Sequence, residues 1–229
     1  NPLVAIGGFA RRLAQRLQAS EPEGRYAQII AGEVDRLERI VHDVRGLSRE
    51  SRLTLADTDL HTLLQDCLVL FADRITLQGV VVRTELAERF PVLRLDGLQM
   101  KQAIMNLVAN ALEAMPQGGT LTLATSMVEQ EVGRSAGAAA GPAAADDRGA
   151  ARPAAAQWAT LSIGDTGGGI PCEIVDEVFK PFFTTKEVGT GLGLTLVRRI
   201  ARAHQGRVEV RNDPGKGVTF CLWLPVNSS

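Results

Sequence analysis

Aromatic residues are scarce in this chain: they make up 4% of its 229 residues, with one tyrosine and two tryptophans. Nucleic-acid surfaces combine basic patches with interleaved aromatics, and neither is present here. A formal net charge of −1 and a pI near 6.4 offer no positive field to a phosphate backbone. Nucleic acid is therefore set aside as a partner. Cysteine is sparse too. Cys67, Cys172 and Cys221 are far apart, odd in number and not spaced as metal ligands, which argues against a zinc site and for reduced thiols in a cytosolic setting. No apolar run approaches the roughly 20 residues that cross a bilayer, and no signal-peptide pattern opens the chain. The expectation is a soluble, cytoplasmic portion with no membrane contact of its own, tethered to the inner membrane, if at all, through segments outside this sequence.

What is present is an ordinary globular composition, 45% hydrophobic and 22% charged, with room for one large or two small domains. The organising stretch runs from Asp165 to Leu194. Asp165-Thr166-Gly167-Gly168-Gly169 follows the apolar run Trp158 to Ile163, so an acidic side chain sits past a strand end, beside glycines that let backbone approach a flat ligand. The second cluster, Gly189-Thr190-Gly191-Leu192-Gly193-Leu194, opens into a helical pattern and places free N–H groups at a helix start, which suits an anion. The second of these two clusters fits neither the dinucleotide fingerprint nor the P-loop. Together they read as a nucleotide pocket of another kind.

Residues 1–55 carry helical periodicity in two runs, Leu3, Ile6, Phe9, Ala10, Leu13, Leu17 and Ile29 to Leu47, separated by turn chemistry from Ser20 to Gly24. The product is an antiparallel hairpin. Its apolar stripe is too wide for a lone hairpin to cover, so two copies are expected to form a four-helix bundle and a homodimer; the competing reading packs the hairpin on its own downstream domain. Asp57-Thr58-Asp59 reads as a linker and helix cap, followed by a helical face from Leu60 to Phe71. Val80–Thr84 and Val92–Leu95 read as strands, and a helix runs from about Leu98 to Met115. On that helix Asn106 and Asn110 are four apart and share a face. Mid-helix amides among apolar residues need partners; a hydrated Mg²⁺ and phosphate oxygens would serve, and so would neighbouring backbone.

Strands follow at Thr120–Thr125, Trp158–Ile163, Val208–Asn212 and Thr219–Leu224, the last two joined by a turn-rich loop. Between them, near 130–157, the composition shifts to Ala, Gly, Pro, Asp and Arg, the signature of a disordered insertion between adjacent strands. The fold class is α+β: a helical hairpin, then, over 57–229, a two-layer α/β sandwich with a mixed sheet. His42 and His61 read as surface or structural residues, and His204 as a helix C-terminal imidazole that suits the dipole.

Four blocks, NLVANALEA, DTGGGIP, FKPFFTTK and GTGLGL, stand in the order of the N, G1, F and G2 boxes, and they resemble the ATP-binding domain of sensor histidine kinases and their GHKL relatives over residues 57–226. The opening NPLVAIGGFARRL and LERIVHDVRGLSR resemble the dimerisation and phosphotransfer hairpin of these kinases. The resemblance implies ATP and Mg²⁺ as cofactors, with Asn110 as the metal ligand and Asn106 near the phosphates. It implies that Asp165 accepts a hydrogen bond from the adenine amine, Gly167 and Gly169 shape the base pocket, and Thr219 supports it through a water. Phe179, Pro181, Phe182 and Phe183 would anchor a mobile lid whose Lys186 approaches phosphate; Gly189, Gly191 and Gly193 would cradle the phosphates, with Leu194 starting the helix behind them.

Chaperone and mismatch-repair relatives place a glutamate general base where this chain has Asn106, so water is a poor acceptor here and a protein nucleophile a better one. The resemblance implies transfer to a histidine, expected just upstream of Asn1, and then to an aspartate in the receiver domain of a response regulator. The acceptor is thus not among His42, His61 and His204. A non-catalytic dimerising nucleotide module and an independent ATPase are the alternatives.

Overall fold

A computed structural model of the chain describes residues 2–17, 22–48, 53–130, 156–186 and 189–226. The two periodic runs at the start form helices α1, Pro2–Arg16, and α2, Pro22–Ser48. They meet along a seam of small residues, where Ala10, Ala27 and Val34 are buried. A Cβ added to Gly7 would stand 2.9 Å from Val34 Cγ1, so the helices approach too closely there for a larger residue. The bulky apolar side chains are left outside this seam: Ile6, Phe9 and Leu13 on α1, and Tyr26, Ile29 and Leu37 on α2, stay exposed, Phe9 by 66%.

The remaining elements build a layer of helices on a sheet. Strands β1, Ala56–Thr58, and β3, Leu93–Leu95, pair with each other antiparallel. The main sheet has five strands: β2, Val80–Glu85; β4, Gly119–Gln130; β5, Ala156–Asp165; β6, Arg207–Asp213; and β7, Gly217–Pro225. Their order is β2-β4-β5-β7-β6. The β2–β4 pair is parallel and the others antiparallel, so the sheet is mixed as expected. A parallel pair needs a long crossover. Here it contains α5, Gly97–Ala114, the helix that carries both asparagines.

Helices α3, Leu60–Leu70, α4, Ala72–Gln78, and α6, Gly193–Ala203, complete the layer, and α6 also touches α2. Alternation fixes which face they cover. Leu121 and Leu123 of β4, Leu161 and Ile163 of β5, and Phe220, Leu222 and Leu224 of β7 turn into one core with Ile104, Leu107 and Val108 of α5 and Val197 and Ile200 of α6. The residues of opposite parity form the other face, where Arg207 lies between two tryptophans, its Cζ 4.9 Å from the Trp158 ring centre and 4.2 Å from that of Trp223.

Several expectations are corrected. Asp57 and Thr58 are strand rather than linker: Asp57 pairs with Arg94 in the register of β1 and β3, so Val92–Leu95 joins β1 and not the main sheet. Asp59 does cap α3, its carboxylate accepting the His61 N–H at 2.9 Å. Helix α4 and a 3₁₀ helix over Cys172–Glu177 go unannounced because each is too short to repeat an apolar pattern. Strands β4 and β5 run on to Gln130 and from Ala156, taking both ends of the supposed insertion into the ladder; residues 131–155 lie outside the described ones.

His204 caps the end of α6 as expected, and it is buried there. Its Nε2 accepts the Asp96 N–H at 2.9 Å, so Nδ1 carries the proton and donates to the Ile200 carbonyl at 2.8 Å. That ring is neutral, and the charge–dipole reading gives way to a hydrogen-bond reading. Asp96 in turn caps α5, its carboxylate accepting from Gln99 N at 3.1 Å. The end of α6 is thereby fastened to the start of α5. His61 is structural as expected, stacked on Phe90 at 5.0 Å between ring centres with Nε2 2.8 Å from Thr125 Oγ1. His42 lies on α2, and its side chain is outside the described ones.

Candidate nucleotide site

Helix α5 gives the site its axis. Asn106 and Asn110 lie one turn apart on it, and Ala114, its last residue, stands about 12 Å further along than Asn106 at 1.5 Å of rise per residue. Around Asn106 the donors converge. The side-chain Nδ2 of Asn106 is buried with no hydrogen-bond partner among the described residues. Gly193 faces it, the place of its missing Cβ lying 3.8 Å from Asn106 Cγ. Gly193 is the first residue of α6, one position earlier than the sequence suggests, and Leu192 before it supplies no side-chain cap. An orphaned amide donor beside an uncapped helix start fits an oxygen anion such as a phosphate.

One turn on, Asn110 meets a residue from far along the chain. Lys186 Nζ donates to Asn110 Oδ1 at 3.0 Å and pairs at the same time with the Glu113 carboxylate. Glu113 is three residues after Asn110, so the two share a helix face. Lys186 thus ties the segment after the phenylalanine block down onto α5. That segment is held at its other end through Phe179, whose ring meets Phe220 edge-on at 6.2 Å and whose carbonyl accepts from Thr195 Oγ1 at 3.1 Å. Between the ties, Phe182 has φ +64 and is 66% exposed. Gly191, with φ +67, lies against it: a Cβ there would stand 2.4 Å from the Phe182 carbonyl carbon. Gly189 packs likewise against Thr184.

At the other end of α5, Asp165 closes β5. Burial, the largest influence, pushes its carboxyl above the ordinary value, while the backbone N–H groups of Gly167 and Val218 and the charge of Lys186 pull it back. The Gly167 N–H donates to Asp165 Oδ1 at 2.9 Å. Gly167 must be glycine here, because a Cβ would stand 2.7 Å from the Ala114 carbonyl oxygen. The loop beyond, with Gly169 at φ +68, is clamped by Asn212: its Oδ1 accepts from Ile170 N at 2.8 Å and its Nδ2 donates to Ile170 O at 2.6 Å. A polar cavity of about 270 Å³ opens here between Asp165, Asn212, Lys216 and Val218.

Thr219 lines the same cavity as Asp165. The β5–β7 register sets it opposite Gly164, with its hydroxyl 2.7 Å from where a Gly164 Cβ would stand, and sets Val218 opposite Asp165. Along α5 the structure therefore places Gly193 against Asn106, Lys186 on Asn110 and Glu113 one to two turns on, and Asp165, Gly167 and Gly169 at the far end of the helix, with Gly189 and Gly191 in the loop against the phenylalanine block. Leu194 follows Gly193 in the first turn of α6.

Residues 95–228 match the family model described as histidine kinase-, DNA gyrase B-, and HSP90-like ATPase. The chain belongs to this family. The sensor histidine kinase ZraS of Escherichia coli K12 is 33% identical over 227 residues, which are 99% of this chain and 43% of ZraS. Sporulation kinase C of Bacillus subtilis is 28% identical over 230 residues, 100% of this chain and 46% of that protein. The chain spans less than half the length of these relatives. Among solved structures, the histidine kinase ThkA in complex with the response regulator protein TrrA matches with a TM-score of 0.68 and 27% identity, over 99% of this chain and 58% of ThkA. Full-length ShkA in complex with AMPPNP shares the fold, with a TM-score of 0.73 at 23% identity over 100% of this chain and 44% of that one. In sequence and fold the chain is similar to the catalytic core of these histidine kinases.

Sequence reasoning about the core missed three residues. Glu113 stands inside the NLVANALEA block, and its spacing from Asn110 was a usable signal. Asn212 reads as one more strand residue, because its clamp joins positions 42 apart. Val218 acts through backbone, which leaves no mark in sequence.

Proposed function

We propose that this chain binds ATP–Mg²⁺ along α5 and passes the γ-phosphoryl to a histidine just ahead of Asn1, at the start of the helical hairpin, and from there to an aspartate in the receiver domain of a response regulator. The observation that carries the reading is the unpartnered Asn106 amide beside the uncapped start of α6 at Gly193. In the proposed complex Asn106 and the first N–H groups of α6 bind phosphate oxygens, and Gly189 and Gly191 let the loop close on them. Asn110 offers its carbonyl oxygen to the metal, a hard cation that prefers oxygen ligands. Asp165, as the carboxylate, accepts the hydrogen bond of the adenine amine, in a pocket shaped by Gly167 and Gly169. When bound, the metal–nucleotide supplies the phosphoryl group and neutralises its developing charge. With an amide at 106 in place of a general base, no residue there activates water, which favours a protein nucleophile over hydrolysis.

The chain divides, in this reading, into a hairpin over 1–55 and an ATP-binding domain over 57–229. Two hairpins pair through the exposed stripe of Ile6, Phe9, Leu13, Tyr26, Ile29 and Leu37 into a four-helix bundle. The hairpin is also the proposed docking surface for the response regulator, a partner that ThkA has in its solved complex. Among the described residues no helix is long and apolar enough to cross a membrane, and the site is proposed to work in the cytoplasm.

The test is incubation with γ-labelled ATP and Mg²⁺, with and without the native residues ahead of Asn1. Acid-labile, alkali-stable label on the longer chain supports the kinase reading. Steady phosphate release with no labelled protein in either form makes this an ATPase, and nucleotide binding with neither makes it a non-catalytic module.

A further inference from the structure

We propose that Glu113 is a positioning residue for Lys186: it parks the lysine on Asn110 when the site is empty and retains it beside the site when nucleotide enters. The inference rests on the nucleotide reading and adds to it a competition for one oxygen atom. Lys186 Nζ is 3.0 Å from Asn110 Oδ1, the atom assigned to the metal. An ammonium and a divalent cation cannot share that oxygen, because both need its lone pairs and they repel each other. Metal–nucleotide must therefore displace Lys186 before Asn110 can act. A lysine held by Asn110 alone would be released to solvent at that moment. Held also by Glu113, three residues along on the same face, it keeps an ionic partner on α5 beside Asn110.

The ion pairs of the other lysines differ. The chain has four lysines, Lys101, Lys180, Lys186 and Lys216. Lys180 and Lys216 pair three residues away, with Glu177 and Asp213, and Lys101 reaches Asp66 at 3.8 Å on the neighbouring helix α3. Lys186 reaches back 73 residues, from the segment between the phenylalanine block and the glycine loop to α5. Of the four, only Lys186 also engages a residue assigned to the nucleotide. Both members of the pair are accessible, Lys186 by 44% and Glu113 by 40%, so the tie is exchangeable rather than permanent.

Two measurements test this. The first needs no nucleotide: limited acetylation of the four lysines, read by mass spectrometry, on the wild-type chain and on Glu113→Gln. Loss of the carboxylate should raise the reactivity of Lys186 about two- to five-fold and leave Lys101, Lys180 and Lys216 unchanged. Unchanged Lys186 reactivity overturns the proposal. The second is a double-mutant cycle on AMPPNP affinity, by calorimetry with and without Mg²⁺. Glu113→Gln should tighten Mg²⁺-dependent binding about two- to five-fold, because the competitor for Asn110 is held less firmly, and should do nothing in a Lys186→Met background. Equal tightening in both backgrounds means that Glu113 merely repels phosphate, and the positioning role is wrong. If the wild-type chain binds no nucleotide, the proposed function fails and the positioning role fails with it, whereas binding without coupling sinks the positioning role alone.

Discussion

The two ends of the cleft along α5 are finished to different degrees. At the Asp165 end the polar groups of the loop are paired before any ligand arrives: Gly167 holds the carboxylate, and Asn212 holds both the N–H and the carbonyl of Ile170. Towards Asn106 one buried amide is unpartnered among the described residues, and between it and the Asp165 end Asn110 and Glu113 share a lysine borrowed from a distant segment. A pre-formed pocket loses little order on binding, whereas groups that must exchange partners can be made to wait for the correct ligand. In the proposed complex this contrast means that recognition of the base is built in advance, while the phosphate contacts are assembled on arrival.

The sharpest way to break this contrast is at Asp165. Asp165→Asn retains an oxygen for the Gly167 N–H but removes the charge that the adenine amine is proposed to meet. Affinity for AMPPNP should fall about 10- to 100-fold, with no loss of thermal stability, because a buried charge has been neutralised. Undiminished affinity in calorimetry would mean that the base end is misassigned. The corresponding change at the phosphate end is Gly191→Ala, which forces a Cβ into the Phe182 backbone at a positive φ. It should weaken AMPPNP about ten-fold and leave adenosine binding as it was. Equal losses for both ligands would dissolve the division between the ends.

A smaller effect is expected at the clamp. Asn212→Ala leaves Ile170 without two bonds in a half-buried place, so the chain should lose about 1–2 kcal/mol in denaturant unfolding and bind adenosine and AMPPNP less well by the same factor. The smallest is a pH effect with opposite signs. Because burial raises the folded-state pKa of Asp165, its stabilising contribution is fully present below the unfolded value and is lost as pH rises through the folded value. In the proposed complex nucleotide binding needs the carboxylate and moves the other way, weakening on acidification at a pH above the ordinary aspartate range. Both slopes should vanish in Asp165→Asn.

Much of this was legible in sequence, for reasons that differ by element. Asn106 and Asn110 could be placed on one face because helical spacing is rigid, and the glycine clusters announced close backbone approach at Gly167 and Gly191. The mixed sheet followed from alternation in strands that bury one face. What could not be read depends on pairing across the chain. Thr219 and Val218 are neighbours in sequence, and only the register with β5 decides which of them stands across from Asp165. His204 offers a similar lesson: a helix-end imidazole reads as a cation until Asp96, 108 residues away, is found donating to it. Strand ends at Gln130 and Ala156 were hidden by a change of composition that begins inside the ladder.

That β4–β5 ladder also separates the chain's tolerance from its chemistry. Asp165 and its partner Leu121 stand at one end of the pair and Gln130 and Ala156 at the other, about 30 Å away along ten residues of strand. Residues inserted or exchanged between 130 and 156 enter and leave at the far tip and need not strain the loop around Asp165. The tip is thus a natural place to graft a fluorescent reporter, which would report on the protein without entering the nucleotide cleft.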